Sequence, residues 1–530
     1  MRSALDPRAR LGQDRSMHIR PGLLCLLLCL VPLRLAAEDV LLRSSSLLPA
    51  AYDSYLALNL KLPPQNRTLP LVGDRGLRSG GQVLRHLAGQ QAVNGFDGVI
   101  YDNRDHGHSS LPEDLFPRLD RLVYDKTLRK ARADYGLAGK ILLPAVVFGN
   151  SSTSVTTGPA KRSLPRLAMT SPGGPERSAQ LYENNHLYVY PEHRDHDETD
   201  RFPANWPYML ISQGSSGSDQ PFLAALAMTL AAFPPDTFAA LRDNRLIAPT
   251  LQMILRRGYA PVRSRAAYFT AAAHPVVFEG DALRPGRMMG EAAAMRPDAI
   301  PPMVRLRVEQ DGFGEAEGLA RLSERLFDTD GAIARIWRNF DWSREITVSA
   351  AATRDPNGRA LTFTWALLQG DPARVRIEPL DPEGSRARIR LAWHDPKTVL
   401  TRDRTGYHNR SLSRVEIGVF ASNGVHDSAP AFVTVFFPDH QKRVYATSGA
   451  GGMRLVSVDY DAIGRDAYYD PVLFWSAPWT DRAEYDGAGA RTGWTRIGHD
   501  GNTRTLPPEI GEGVYQIERL QPERPYLIMP

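Results

Sequence analysis

Two short stretches concentrate the side chains that move protons. "YENNHLYVYPEHRDHDETD", residues 182–200, puts three histidines and six carboxylates into nineteen positions. "DNRDHGHSS", residues 102–110, adds Asp102, Asp105, His106 and His108. Asp, Glu and His are the usual general acids and bases. Asp102 or Asp105 set against Glu183 or Glu192 would supply the two carboxyls that flank a glycosidic bond about 5–9.5 Å apart. His106, His108, His186, His193 and His196 are also natural metal ligands. Mixed N and O donors suit Zn2+, Mn2+ or Fe2+, and carboxylates alone would take Ca2+. His193-x-x-His196 would share one side of a helix, but Pro191 and the dense charge argue for a loop. None of these spacings is H-E-x-x-H, and each segment alone also reads as a solvated loop with a few ion pairs.

A third stretch is "QGSSGSDQPF", residues 213–222. A strand, a tight turn and a helix would suit a serine elbow, with Ser215 or Ser216 as nucleophile. That motif needs glycine at 218, where the chain has Ser218. Helix initiation is the simpler account, with Asp219 or Ser218 as N-cap and Pro221 in the first turn. The amides of Gly214, Ser215, Ser216, Gly217 and Ser218 offer an anion site in the same place. Asn150 and Ser151, in "FGNSSTS", join them as expected ligand-binding residues.

These loops must be carried by something, and the pattern between Glu38 and Phe340 is α/β. The apolar runs "DGVIYDN", "KILLPAVVFGN", "LYVY" and "YMLISQ" alternate with helical stretches such as "GGQVLRHLAGQQAV" and "PFLAALAMTLAAF". Each run ends in a polar loop, and in such sheets ligands gather beyond the carboxyl ends of the strands. The central expectation is therefore that loops distant in sequence share one pocket. "DTFAALRDNRL", "APTLQMILRRG", "RAAYFTAAA" and "GRMMGEAAAM" read as short helices forming a lobe, and "DGAIARIWRNF" as a connecting helix. "STSVTTGPAKRSLPRLAMTSPGGPERSAQ" lacks periodicity and reads as a long loop or lid, with Lys161, Arg162 and Arg166 available to an acidic ligand. His274 lies among apolar residues and is expected to be a satisfied core histidine.

Bulk properties narrow the class. The 530 residues are 42% apolar and 23% charged, enough for several globular domains. "MHIRPGLLCLLLCLVPLRLAAEDV" has the order of a secretory signal: basic start, apolar centre, small-residue exit near Ala37. Its apolar run is too short to span a bilayer, so no membrane anchor is expected in the mature chain. Both cysteines fall within that leader, so disulfides and thiolate-held metals are not expected beyond it. A cysteine-free exported chain points to a bacterial periplasm or exterior, which makes the N-x-S/T contexts at Asn66, Asn150 and Asn409 incidental. The first 37 residues hold six Arg and two Asp, leaving 58 basic and 57 acidic residues. With that balance and no aromatic-interleaved basic run, nucleic acid is a poor partner.

From Asp341 the period becomes two. "LTFTWALL", "ARIRLAW", "VEIGVFA" and "AFVTVFF" alternate, with turns at "RDPNGR" and "SNGVHD". Such spacing reads as a β-sandwich. Asp355, Pro356, Asn357, Gly358, Trp365, Asn423 and Gly424 stand where the sequence resembles PKD-type immunoglobulin-like domains. The inserted "HDPKTVLTRDRTGYHNRSLS" departs from that family's compact pattern. The resemblance covers about a fifth of the chain. It implies an extracellular spacer or carbohydrate-associated accessory module without catalytic residues, with Trp365 in its core. The whole chain is also similar to large exported bacterial proteins of unassigned activity. The resulting plan is a signal peptide (1–37), an α/β domain (38–218), a helical lobe (219–340), a PKD-like β-sandwich (341–438) and an aromatic-rich β tail (439–530). In the tail, Trp475, Trp479 and Trp494 would either form a sugar-stacking platform or pack inward.

Three functions follow. The first is an exported hydrolase or lyase acting on glycans. The second is a non-enzymatic protein binding a polysaccharide or cell-wall polymer. The third is a metal-dependent esterase, phosphatase or amidase using the histidines.

Overall fold

The computed structural model describes residues 39–137, 140–155, 162–403, 406–438, 441–449, 451–460 and 479–509, with three further short strands. The expected leader lies outside them. The N-terminal part is built on a six-stranded, wholly parallel sheet. Its strands are β1 (Asp39–Leu42), β2 (Val99–Asn103), β3 (Asp120–Tyr124), β4 (Val146–Asn150), β5 (His186–Pro191) and β6 (Met209–Ser212), in the order β1-β3-β2-β4-β5-β6. Parallel strands are covered on both faces and so read as continuous apolar runs. β4, β5 and β6 are buried at every position.

Counting helices of seven residues or more, α1 (Gln82–Gln90), α2 (Leu164–Thr170) and α3 (Gly174–Tyr182) precede strands of this sheet. α4 (Gln220–Ala232), α5 (Pro235–Asp243), α6 (Ile247–Gly258) and α7 (Pro285–Ala294) follow it. The last four share one apolar core with the sheet, with Phe222, Leu226, Ile254 and Met288 packed alongside Val147 and Leu210. They are therefore not a lobe of their own. α2 and α3 also replace most of the expected long loop. Among the described residues no single helix is long and apolar enough to cross a membrane.

The central strands pack closely. A Cβ placed on Gly149 of β4 would lie 2.1 Å from the Asp102 carbonyl oxygen and 2.7 Å from Tyr188 Cε1. Neither backbone nor a buried ring yields easily, so Gly149→Ala should lower stability by about 1–3 kcal/mol, read as an earlier urea midpoint.

Several antiparallel β-sheets follow. One is β7 (Arg307–Asp311), β10 (Ser343–Ser349), β13 (Arg386–Ala392) and β12 (Val375–Pro379) in that order. The facing sheet runs β8 (Arg325–Thr329), β9 (Ala332–Ile336), β17 (Ala431–Phe436), β16 (Arg414–Ser422) and β11 (Thr362–Gln369), with β9 and β17 parallel. Ile346, Ile389 and Leu391 of the first meet Val415, Ile417 and Val433 of the second. A hairpin, β14 (Lys397–Asp403) and β15 (Gly406–Leu412), projects from this sandwich. The sandwich begins near residue 307 rather than 341, and "DGAIARIWRNF" supplies β9, not a helix. Ile333 of β9 faces the sandwich core while Ala332 and Ala334 face the α/β core. A strand covered on both sides loses the alternation that would have revealed it.

The same double burial applies to β16, whose Phe420 packs edge-on against Phe269 at 4.9 Å and lies 5.0 Å from the His274 ring. The sandwich is thus docked face-on to the α/β domain rather than tethered as a spacer. Trp365 packs against the sandwich core and donates to the Gly384 carbonyl at 2.7 Å. His274 is buried as expected, its ring nitrogens on Arg256 and the Tyr268 carbonyl.

The C-terminal sheet orders β18 (Lys442–Thr447), β19 (Met453–Asp459), β20 (Trp479–Tyr485), β21 (Arg491–Gly498) and β22 (Thr503–Leu506) consecutively. Trp479 and Trp494 are buried in its core, so they form no exposed platform. The side chain of Trp475 lies outside the described residues.

Candidate active site at the carboxyl edge of the sheet

Strand alternation decides which residues of β2 reach the site. Tyr101 and Asn103 point to one face, Asp102 and Arg104 to the other. On the first face Asn150, the last residue of β4, is a fully used amide. Its Oδ1 accepts from the Tyr101 hydroxyl (2.7 Å) and Asn103 Nδ2 (3.2 Å). Its Nδ2 donates to the Ser109 carbonyl (3.1 Å) and to Asp219 Oδ2 (2.5 Å).

Asp219 is the surprise. It stands at the N-cap of α4, but its side chain makes no capping bond. An N-cap carboxylate takes the amide of the second or third helical residue, and the second is Pro221, which has none. The carboxyl turns inward instead. Oδ1 is buried without a partner, and burial, with Asp105 adding to it, pushes the group up to about 6 against the Asn150 bond.

Asp105 arrives from β2 through a tight turn. Asn103 Oδ1 accepts from the amides of Asp105 (3.2 Å) and Gly107 (2.9 Å), and His106, Gly107 and Ser109 have positive φ. Asp105 Oδ2 accepts from the Ser152 amide (3.0 Å) and hydroxyl (2.7 Å), while Oδ1 is buried and unpartnered. His108 Nδ1 is 2.7 Å from the same hydroxyl. With the serine proton on Asp105, His108 must donate through Nδ1, leaving Nε2 as an acceptor at the surface. This is not the order of a nucleophilic triad, where the carboxylate holds the far nitrogen of the base.

The other two loops close on this pair. His193, with positive φ, lies against the Ser152 backbone. Burial holds its ring below the ordinary value, and its Nε2 is buried without a partner. Asp105 and His193 therefore meet at one residue, Ser152. Glu192 accepts from the Gly214 amide (3.1 Å) through Oε1 and from the His196 amide (3.2 Å) through Oε2. Burial, aided by Asp197, pushes its carboxyl up to about 7. Ser218 and Ser212 share a hydroxyl contact of 2.9 Å, and Ser215 and Ser216 lie exposed at the rim with Gly214 and Gly217 beside them. Ser151 is buried, 2.9 Å from Thr153 Oγ1.

Five expected site residues are elsewhere. Asp102 is on the opposite face, holding Arg104 Nε (2.8 Å), Tyr124 (2.9 Å) and Tyr188 (2.8 Å). Glu183 and His186 flank the amino end of β5. Glu183 faces Arg305 at 3.4 Å, and His186 accepts from the Leu143 amide at 3.0 Å, burial pushing it down to about 4. A six-residue strand is roughly 20 Å long, so residues 182–200 are divided between opposite rims. His106 sits outside, edge-on to Tyr135 at 5.1 Å. His196 is buried toward the sandwich, 4.0 Å from Asp200. Among the described residues no group of three or more His, Asp and Glu side chains is placed to hold a metal ion, so the expected His106, His108, His186, His193 and His196 set does not assemble. Asp219 and Ser152 are the functional positions not anticipated. Arg166 is not a free cation either, lying 3.1 Å from buried Asp195.

Chemically, the edge offers two buried carboxyls that influence each other, each with one unpartnered oxygen, together with a histidine held below its ordinary value and a third raised carboxyl. Removing polar atoms from water without partners is unfavourable by about 1–3 kcal/mol each.

No family model matches the chain, and no curated protein matches it. Among solved structures, a nucleoside hydrolase-related hypothetical protein from Saccharophagus degradans, associated with carbohydrate metabolism, aligns at 12% identity with a TM-score of 0.18. That alignment covers 59% of this chain and 66% of that one. An endo-fucoidan hydrolase of glycoside hydrolase family 107 aligns at 10% identity over 92% of this chain and 90% of that one, with a TM-score of 0.14. At these scores the likenesses establish neither a shared fold nor a family for this chain.

Proposed function

We propose that the chain is an exported bacterial hydrolase that cleaves glycosidic bonds at the carboxyl edge of its parallel sheet. The observation that carries this reading is the pair Asp105 and Asp219, both buried, each with one oxygen that has no hydrogen-bond partner, and near enough for Asp105 to help raise Asp219. Their partners Ser152 and Asn150 are two residues apart, which even a fully extended chain separates by no more than ~7 Å. Anchors that close allow the two carboxyls to stand at the roughly 5–9.5 Å at which such pairs flank a sugar linkage.

Asp219, which holds its proton to about pH 6, donates to the leaving oxygen. Asp105, fixed by two Ser152 donors, is the carboxylate that attacks or activates water. His108 and His193 position Ser152 and line the approach, and Glu192 ties down Gly214. The secretory order of the N-terminal residues and the PKD-like resemblance of the sandwich support an exported glycan-acting protein.

The test is reducing-end release from a panel of polysaccharides by wild type and Asp105→Asn. At least one substrate should be cleaved, and Asp105→Asn should slow cleavage by about 10²–10⁴-fold. A folded wild type that cleaves nothing, or a variant of equal rate, overturns the proposal.

A further inference from the structure

The loop over 192–200 leaves the site and runs beneath the sandwich, where the inserted hairpin captures it. Thr199 forms a β-bridge with Ser411, the Asp200 amide donates to the Ser411 carbonyl at 3.1 Å, and the Ser411 amide donates to the Glu198 carbonyl at 2.9 Å. Arg410 donates to the His196 carbonyl, and Arg414 ion-pairs with Asp200 while its Nε holds Glu416 at 2.9 Å. This hairpin is the stretch that breaks the compact sandwich pattern, and its strands reach a loop of the proposed active site.

Between the hairpin, the sandwich and the α/β domain lies a cavity of about 560 Å3. That is within the range of pockets that hold small ligands. Leu368, Val399, Leu412 and Val276 give it aliphatic walls. Two buried polar atoms of its lining residues have no partner, His196 Nδ1 and Ser413 Oγ. Four carboxyls line it, Asp200, Asp371, Asp395 and Glu416, against the three cations Arg374, Lys397 and Arg414, and Arg414 holds both Asp200 and Glu416, so the lining lies within one charge of balance and does not favour a strongly ionic ligand. Apolar walls with a few uncharged hydrogen-bonding groups match a sugar, which has a CH face and a rim of hydroxyls. Glu192 and His196 are four residues apart, a reach of at most ~14 Å, so the cavity adjoins the reacting edge.

We propose that this cavity holds an uncharged oligosaccharide segment, and that the hairpin β14–β15 forms one wall of the substrate groove. The proposal rests on the glycan reading above and extends it. The test uses the full chain carrying Asp219→Asn, with binding of neutral hexasaccharides (cello-, xylo-, manno- and laminarihexaose) measured by calorimetry. Hexagalacturonate and the chitosan hexamer serve as charged probes. Ala271→Trp and Val399→Trp fill the cavity from opposite sides, neither position being buried.

At least one neutral hexasaccharide should bind, either tryptophan should weaken it at least tenfold, and the charged probes should bind far more weakly. Failure of every neutral hexasaccharide to bind overturns the groove, as does binding untouched by both tryptophans. Binding that the tryptophans abolish, with a wild type that cleaves nothing, keeps the groove and removes the hydrolase. Cleavage whose KM neither tryptophan moves keeps the hydrolase and removes the groove.

Discussion

Asp219→Asn should cut turnover by orders of magnitude and make the protein harder to unfold at alkaline pH. The two effects have one cause. The carboxyl is buried, with one oxygen unpartnered and Asp105 beside it, and its folded value stands near 6 against an ordinary 3.8. Well below pH 3.8 the group is protonated whether the chain is folded or not, and it has no effect on stability. As pH rises to 6 the unfolded chain releases the proton first, which favours unfolding. Above pH 6 the folded state has lost roughly 3 kcal/mol, a shift of about two units at 1.36 kcal/mol each. An amide never ionises, and its oxygen still accepts from Asn150. The variant should therefore match wild type at ~pH 3 and exceed it by about 2–3 kcal/mol at ~pH 8, measured by urea unfolding at both. Turnover should fall by about 10²–10⁴-fold, because the proton donor is gone. In wild type, turnover should decline as pH climbs past 6, and this decline should vanish from whatever residual rate the variant retains. A variant that is both less stable at pH 8 and fully active would show that Asp219 is an ordinary structural acid.

Asp102 should behave in the opposite way. It is fully buried, and its partners are Arg104, Tyr124 and Tyr188, none of which belongs to the acid pair. Asp102→Ala leaves the Arg104 guanidinium charged, buried and opposed by nothing, a change that typically destabilises by 3–5 kcal/mol. Arg104 also stacks on the Tyr188 ring at 4.2 Å, so it has no easy route to solvent. The urea midpoint should drop sharply, while turnover per folded molecule stays near wild type. Replacing both partners, as Asp102→Leu with Arg104→Met, should recover much of the loss. If Asp102→Ala instead kept its stability and lost its rate, the residue would belong to the chemistry and the division of β2 into two faces would be wrong.

These two aspartates mark how much of the site was legible. The sequence reading located the polar loops at the ends of β2, β4, β5 and β6, since long apolar runs and their polar successors are strong signals. Alternation within β2 was equally available, and it separates Asp102 from Asp105 without any coordinates. Glu183 and Glu192 are alternatives on the sequence, yet they flank the apolar run "LYVY", and the two ends of a strand cannot meet. Asp219 fits a helix cap by position, but Pro221 removes one of the two amides that such a cap would bind. Ser152 carried no signal, because its importance comes only from the residues that converge on it. β9 was misread for a physical reason as well: with cores on both sides, "AIARI" shows no period.

That strand has a practical meaning for anyone dividing the gene. β9 lies before residue 341 yet pairs in parallel with β17, nearly a hundred positions later. Severing the chain at the apparent border would leave β9 paired with β8 alone and expose an apolar edge on its other side, the kind of raw edge through which fragments aggregate. The two halves are therefore better expressed as one polypeptide.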